Sequence, residues 1–318
     1  MKSQIVYSQA LPPTNRFSPD SILFYDSILM KKRSFGKWSG SFPYKIALKS
    51  GEGLKTIDSF KQVLNKISKL KVPKSTQLCF VAVGGGSIGD FVGFLSSVYL
   101  RGRPLVLIPS TWLSVVDSAH GGKNGLNFNN TKNQIGSFYP AEKIFICNDL
   151  LMTQPEERLL ESFGEIIKIA VLSDAKLFGQ IESRPEKNEI LSLLPKLISL
   201  KLKIVNRDVF EKTGHRRLLN LGHTLGHVFE SVYGWPHGIA VLLGLQFAAR
   251  WSLHQGLLTQ KDFFRISMFI DSLELKQNLS AALNKMIERQ IVNHLTKDKK
   301  LTGKDRLDFI FIRKIGRG

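Results

Sequence analysis

Three of the seven histidines in this 318-residue chain fall within fifteen residues. They occur in Asn220-Leu221-Gly222-His223-Thr224-Leu225-Gly226-His227 and, beyond Tyr233-Gly234-Trp235-Pro236, at His237. His223 and His227 are four apart in a segment of helical pattern, so their side chains lie one above the other on a single face. His237 opens the next apolar run and can fold back onto that face. Imidazoles gathered in this way suit a divalent metal, most often zinc. The plainer alternative is that one or two of them cap or pack against a neighbouring helix. The HExxH pattern with its general-base Glu is absent, and spacing alone leaves both readings open.

A second stretch bears on anion binding. Val83-Gly84-Gly85-Gly86-Ser87-Ile88-Gly89-Asp90 follows an apolar strand pattern and opens a helical one. It satisfies G-x-G-x-x-G in the context that gives the motif meaning. Glycines allow a tight turn and a close approach of backbone amides to a pyrophosphate, and a helix N-terminus favours its charge. A purely structural turn is the alternative. An ordinary dinucleotide fold also carries an acidic residue about twenty positions later, where this chain runs into Pro109-Ser110-Thr111.

The elements that must hold these stretches change character along the chain. Strand patterns at 21–25, 44–48, 77–83, 104–109 and 143–147 alternate with helical patterns at 54–70 and 88–100. That alternation implies an α/β N-terminal domain with a mainly parallel sheet. From about Leu151 the pattern turns helical, at 155–172, 189–205, 217–232, 238–254, 260–273 and 281–295, with a last strand expected at 307–312. The expected domains are therefore 1–150, nucleotide-binding, and 151–318, a mainly helical metal- and substrate-binding domain.

Composition narrows the classes. Hydrophobic residues make up 43% and charged residues 22%, as in soluble globular proteins. No apolar run approaches the ~18 residues expected of a membrane span, and the first residues form no secretory signal. Cys79 and Cys147 both sit in apolar stretches and make no disulfide framework, so the expected compartment is cytoplasmic. The formal charge is +19. The cations are scattered and no zinc-finger, RRM or KH signature accompanies them, so no specific nucleic-acid partner is expected. An anionic substrate would still benefit from them.

Taken in order, the motifs resemble those of 3-dehydroquinate synthase and the wider sugar-phosphate cyclase family. They are Gly51-Glu52-Gly53-Leu54-Lys55, the turn from Gly84 to Asp90, Tyr99-Leu100-Arg101-Gly102 and Pro109-Ser110-Thr111. Next come Asp117 to Lys123 with Asn127, Lys132-Asn133-Gln134-Ile135-Gly136, and Gly164-Glu165-Ile166-Ile167-Lys168. Arg216 to Asn220 leads into the histidine block, and Asp298-Lys299-Lys300 lies near the end.

The resemblance implies that Glu165, His223 and His237 bind Zn2+ or Co2+, and that His227 faces the substrate. It implies a substrate cradle of Asp117, Lys123, Asn133, Lys168, Lys201, Arg216, Asn220 and His227. Lys299 or Lys300 would close over a phosphate, and Arg101 would reach in from the partner subunit of a homodimer. NAD would be held by Asp26, Glu52, Lys55, Gly85, Gly86, Asp90, Ser110, Thr111 and Lys132. The implied reaction takes 3-deoxy-arabino-heptulosonate 7-phosphate to 3-dehydroquinate, in the shikimate route to aromatic amino acids. Its steps are oxidation of a ring alcohol by NAD, loss of phosphate, re-reduction and an intramolecular aldol closure. Another cyclase, a metal-dependent alcohol dehydrogenase of the same fold, and a drifted member with reduced activity are the alternatives. Departures from the family pattern are Ile239 where His-Gly-Glu is usual, Asn124 after Gly-Gly-Lys, and Val209-Phe210 in a normally acidic stretch. An extra residue in that stretch leaves Lys201 and Lys203 as competing alignments.

Overall fold

A computed structural model describes residues 3–73, 77–129, 131–285 and 309–317. The chain divides into two compact units, Met1–Gln154 and Pro155–Gly318. In the first, the elements are β1 (Gln4–Ser8), β2 (Ile22–Asp26), α1 (Arg33–Gly40), β3 (Tyr44–Leu48), α2 (Ile57–Lys69), β4 (Phe80–Gly84) and α3 (Gly86–Val98). They continue with β5 (Leu105–Pro109), β6 (Lys123–Phe128), β7 (Thr131–Phe138), β8 (Lys143–Cys147) and α4 (Asn148–Met152).

Six strands form one sheet in the order β1-β8-β5-β4-β2-β3, and every pairing is parallel. All residues of β2, β4 and β5 are buried, because a parallel sheet is covered on both faces. Leu23, Tyr25, Val81, Val83, Val106 and Ile108 pack on one face with Phe17, Phe35 and Phe42. The alternate residues, Phe24 and Phe80 among them, point to the other. Cys79 and Cys147 are sealed in the first of these layers. Burial pushes their thiols up to about 12 and about 11, so neither forms a thiolate readily.

After β2 the chain moves outward to β3, then crosses back to β4 and continues the other way to β5. The reversal puts the crevice favoured for ligands at the carboxyl ends of β2 and β4, where Asp26 and the glycine turn lie. An antiparallel pair, β6 and β7, was not expected from the sequence. Its base is closed by the Asn124 amide, which donates to Gly122 O at 3.0 Å and Tyr139 O at 2.8 Å. That accounts for Asn124 in structural terms.

The second unit contains α5 (Glu156–Ser173), α6 (Ala175–Glu182), α7 (Lys187–Arg207), α8 (His223–Tyr233), α9 (His237–His254), α10 (Gln260–Ser272) and α11 (Leu279–Lys285). Asp174 and Thr259 cap α6 and α10 by accepting from Leu177 N at 2.8 Å and Asp262 N at 3.2 Å. Every residue of α5 from Ser162 to Leu172 is buried, which makes α5 the central helix.

Glycines let its neighbours close in. A Cβ on Gly238 would stand 1.4 Å from the Glu161 carbonyl oxygen, and one on Gly164 would stand 2.2 Å from Gly238 O. Likewise a Cβ on Gly244 would meet Gly222 O at 1.9 Å. Thus α9 touches α5 and the start of α8 backbone to backbone. The helix expected over 217–232 is broken, because Gly222 takes a left-handed φ of 78° and heads α8, while His215–Asn220 forms a separate 3-10 turn. The expected last strand is also corrected. Residues 307–308 of it lie outside the described residues; among those described, 309–312 pair with no strand, Phe309 and Phe311 pack on Trp251, and Ile312 N donates to Ser252 Oγ at 2.9 Å.

Candidate metal centre and nucleotide turn

In the second unit, the close approach at Gly164 and Gly238 sets the next residue of α5, Glu165, against the first residue of α9, His237. Gly222 performs the same service for His223, the first residue of α8. One ligand atom from each of Glu165, His223 and His237 lies within 4.8 Å of the others. Glu165 Oε1 is 3.3 Å from His223 Nε2 and 3.6 Å from His237 Nε2. These separations exceed ordinary hydrogen bonds. They are near the ~3.3 Å edge of a tetrahedron whose centre is about 2.05 Å from each ligand, the zinc value, while the two imidazole nitrogens lie within 4.8 Å of each other. Three such groups would leave the fourth position of a tetrahedral ion open, as in catalytic rather than structural zinc sites.

The other ring nitrogens are engaged. His223 Nδ1 lies 3.2 Å from Leu221 O, and His237 Nδ1 lies 3.1 Å from Glu230 Oε1. Both acceptors hold a proton on Nδ1 and aim Nε2 toward Glu165. Lys168, one turn after Glu165, forms a buried ion pair with its other carboxylate oxygen. Burial opposes charge on Glu165, but Lys168 and the two imidazoles hold its carboxyl well below the usual range. Burial, with Lys168 beside it, pushes His223 down to about 3. Burial opposes charge on His237, but the carboxylates of Glu165 and Glu230 outweigh it and push it up to about 10.

His227 belongs to the same α8 face, with its ring centroid 5.4 Å from His223 and 6.4 Å from His237. It is outside the three-ligand group, so the helical pair favoured by spacing alone is not the set that converges. Lys201 and Arg216 are 4% exposed, an uncommon state for cations. Lys203 points outward, which favours Lys201 of the two alignments. Arg216 donates to Val209 O at 2.7 Å and lies 4.0 Å from Glu211. Asn220 ends the 3-10 turn just before Gly222 and is half-buried. Lys299 lies outside the described residues. Glu230 was passed over in the sequence, although it continues the i, i+4, i+7 stripe of His223 and His227.

In the first unit the residues expected to hold a dinucleotide gather at the carboxyl ends of β2, β4 and β5. Gly85 is the uncapped N-cap of α3, and the amides of Gly86 and Ser87 have no acceptor among the described residues. A Cβ on Gly86 would meet Ser118 Oγ at 2.9 Å, and one on Gly85 would meet the Thr111 methyl at 3.3 Å. Ser110 N donates to Gly84 O at 2.8 Å, joining the two turns. A positively polarised helix start whose first amides have no acceptor among the described residues fits a pyrophosphate.

Lys55 reaches Asp90 at 2.7 Å and Asn133 at 2.5 Å, and Glu52 accepts from the Asn127 amide at 2.7 Å. Burial raises the Asp90 carboxyl despite Lys55, with the charges of Glu52 and Asp117 adding to the rise. Asp26 is buried at the end of β2 and accepts from Ile28 N at 3.2 Å. Lys123 and Lys132 are exposed on the hairpin. Arg101 is exposed, with φ at 66°. The structure does not bring it to this group, since the length of α3, roughly 20 Å, separates it from the glycine turn.

Residues 45–161 match the profile of the 3-dehydroquinate synthase N-terminal domain, and residues 162–301 that of its C-terminal domain. The 3-dehydroquinate synthase of Methylacidiphilum infernorum is 34% identical over 279 residues, 86% of this chain and 75% of the relative. Among solved structures, a 2-deoxy-scyllo-inosose synthase complexed with carbaglucose-6-phosphate, NAD+ and Co2+ superposes with a TM-score of 0.85 at 21% identity. It covers 98% of this chain and 90% of its own. The 2-epi-5-epi-valiolone synthase of Streptomyces hygroscopicus, with NAD+ and Zn2+ bound, gives 0.84 at 22% identity, over 100% and 91%.

Proposed function

The chain belongs to the 3-dehydroquinate synthase family, carbon–oxygen lyases that eliminate phosphate, and on that premise we propose which residues carry the reaction. The observation that carries the proposal is the convergence of Glu165, His223 and His237, with ligand atoms within 4.8 Å of one another and Lys168 packed beside them. These three residues hold a divalent metal, zinc or cobalt, and the turn from Gly84 to Asp90 with Asp26, Glu52, Lys55, Ser110, Thr111 and Lys132 holds NAD. When bound, the metal supplies a Lewis acid and NAD a reversible hydride acceptor. The two cyclases carrying NAD+ with Co2+ or Zn2+ in their structures support this pair of cofactors.

The substrate is an anionic sugar phosphate. Lys168, Lys201 and Arg216 bind its carboxylate and phosphate, the guanidinium by a two-pronged contact. Asp117, Lys123, Asn133 and Lys299 complete the cradle. His227 and Asn220 orient ring hydroxyls and move protons between them. Arg101 completes the site across a homodimer, and the protein works in the cytoplasm. The 34% match to a dehydroquinate synthase, against 21–22% for the other cyclases, supports the dehydroquinate branch. The test is to incubate the metal-loaded chain with the heptulosonate phosphate and catalytic NAD and follow inorganic phosphate. Release that depends on both cofactors is expected. No release with metal and NAD demonstrably bound would refute the substrate.

A further inference from the structure

We infer that Glu230 is the positioning residue of the metal centre, orienting His237 through its Nδ1–H. The inference rests on reading Glu165, His223 and His237 as the metal triad. Its geometric basis is the 3.1 Å contact from His237 Nδ1 to Glu230 Oε1, on the side of the ring away from Glu165.

The two imidazole ligands are supported differently. His223 is the first residue of α8, and its Nδ1 meets the carbonyl of Leu221, a backbone group fixed by the turn at Gly222. His237 is the first residue of α9, after Gly234-Trp235-Pro236, and Pro236 at its N-cap position makes no side-chain cap bond. Among the described residues, no backbone carbonyl meets its Nδ1. Its ring is 29% exposed, against 11% for His223. Packing therefore holds His237 less tightly, and a hydrogen bond has more to fix. Ile239, two residues on, is buried and apolar and offers no acceptor.

Glu230 meets the need from α8. It stands one turn beyond His227 and two beyond His223, with its side chain 13% exposed. A carboxylate accepting from Nδ1 selects the tautomer whose Nε2 carries the lone pair, and it holds the ring plane. One face of α8 thereby supplies a metal ligand, the neighbouring His227, and the acceptor that aims a ligand borne by α9. The packed contact of Gly226 with Ala240, 3.2 Å from an added Cβ to the carbonyl oxygen, keeps the two helices in register for this.

The experiment measures zinc affinity of the full chain by competition with a chromophoric chelator, in the parent, Glu230→Gln and Glu230→Ala. It adds the visible absorption of each Co2+-loaded form and the melting curve of each metal-free form. Glu230→Ala should weaken zinc by about 10- to 100-fold, the range for losing a carboxylate behind a histidine ligand. Glu230→Gln keeps an acceptor without its charge and should weaken zinc by roughly fivefold, since a charged acceptor makes the stronger bond. The cobalt bands should shift in both variants, which a merely structural role, visible only in the metal-free melts, would not produce. Parent-like affinity and parent-like bands in the folded variants overturn the inference. If Glu230→Ala does not fold, Glu230→Gln decides by the same criterion. A parent chain that takes up no metal overturns the triad and this inference together; a parent that binds metal, with variants that match it, overturns the inference alone.

Discussion

Replacing Gly238 by Ala tests whether backbone contact between α5 and α9 is what assembles the metal centre. The added Cβ would lie 1.4 Å from the Glu161 carbonyl oxygen, whereas real Cβ contacts essentially never fall below 3.0 Å. Backbone on both sides cannot swing aside as a flexible side chain can, so the helices must part by about 1.6 Å at this point. Glu165 and His237 are the neighbouring residues and would move with them. Zinc ligation tolerates only about 0.2 Å, so the triad should lose its metal. Overpacking of this kind costs roughly 3 kcal/mol or more, equivalent to roughly 6–12 °C in melting temperature for a unit of this size. Gly179→Ala supplies the opposite sign. Its Cβ would meet only Glu182 and Arg265 side-chain atoms at 3.8 and 4.0 Å, and Ala in a helix interior stabilises by about 0.5–1 kcal/mol. The assay is thermal unfolding by circular dichroism, together with zinc per chain by atomic emission. If Gly238→Ala melts within about 2 °C of the parent and retains its zinc, the close approach is not what sets the ligands.

Other substitutions separate the remaining roles. Glu165→Ala should leave almost no zinc after purification, and it strands the Lys168 ammonium, a loss of about 3–5 kcal/mol visible in the metal-free melt. Stoichiometric zinc in that variant would remove Glu165 from the ligand set. Lys201→Ala should lower kcat/KM by roughly 10- to 100-fold through a lost charged contact, while the outward Lys203→Ala stays near the parent; the reverse order would reassign the lysine. Asp208 accepts from the amides of Lys212, Thr213 and Arg216. Burial opposes its charge, yet these bonds bring its pKa down to about 2, against roughly 3.9 for a free aspartate. The folded state thus prefers the ionised form. Its contribution is complete above about pH 4 and lost as pH falls through about 2. The stability gap between parent and Asp208→Asn should therefore close over that range in urea unfolding, and a gap independent of pH would contradict it.

The buried strands of the parallel sheet could be read directly from the chain, because β2, β4 and β5 are apolar along their length except for Asp26 at the end of β2. The edge strand β1 could not. Gln4–Ser8 is short and mixed in polarity, and its partner β8 lies more than a hundred residues away. The hairpin was equally hidden, since Thr131–Phe138 is mostly exposed and polar and reads as a loop. Gly222 looked like one glycine inside a long helix; only its left-handed φ, with α9 packed against it, shows that the helix begins there. In the candidate metal centre, helical spacing paired His223 with His227, whereas the group that converges on His223 and His237 is completed by Glu165, from a helix nearly sixty residues earlier. Periodicity reports which residues share a helix face. It does not report which neighbouring helix a glycine admits.

The two sealed cysteines make the protein a blank for thiol labelling. Cys79 and Cys147 are its only cysteines, and burial keeps both protonated and out of reach of a maleimide at neutral pH. A cysteine placed at the exposed Lys61 of α2, and another at the exposed Lys261 of α10, would each be the sole reactive thiol in its unit. A fluorophore or spin label at either point would report on its own unit as cofactors and substrate are added, with no native thiol to remove first.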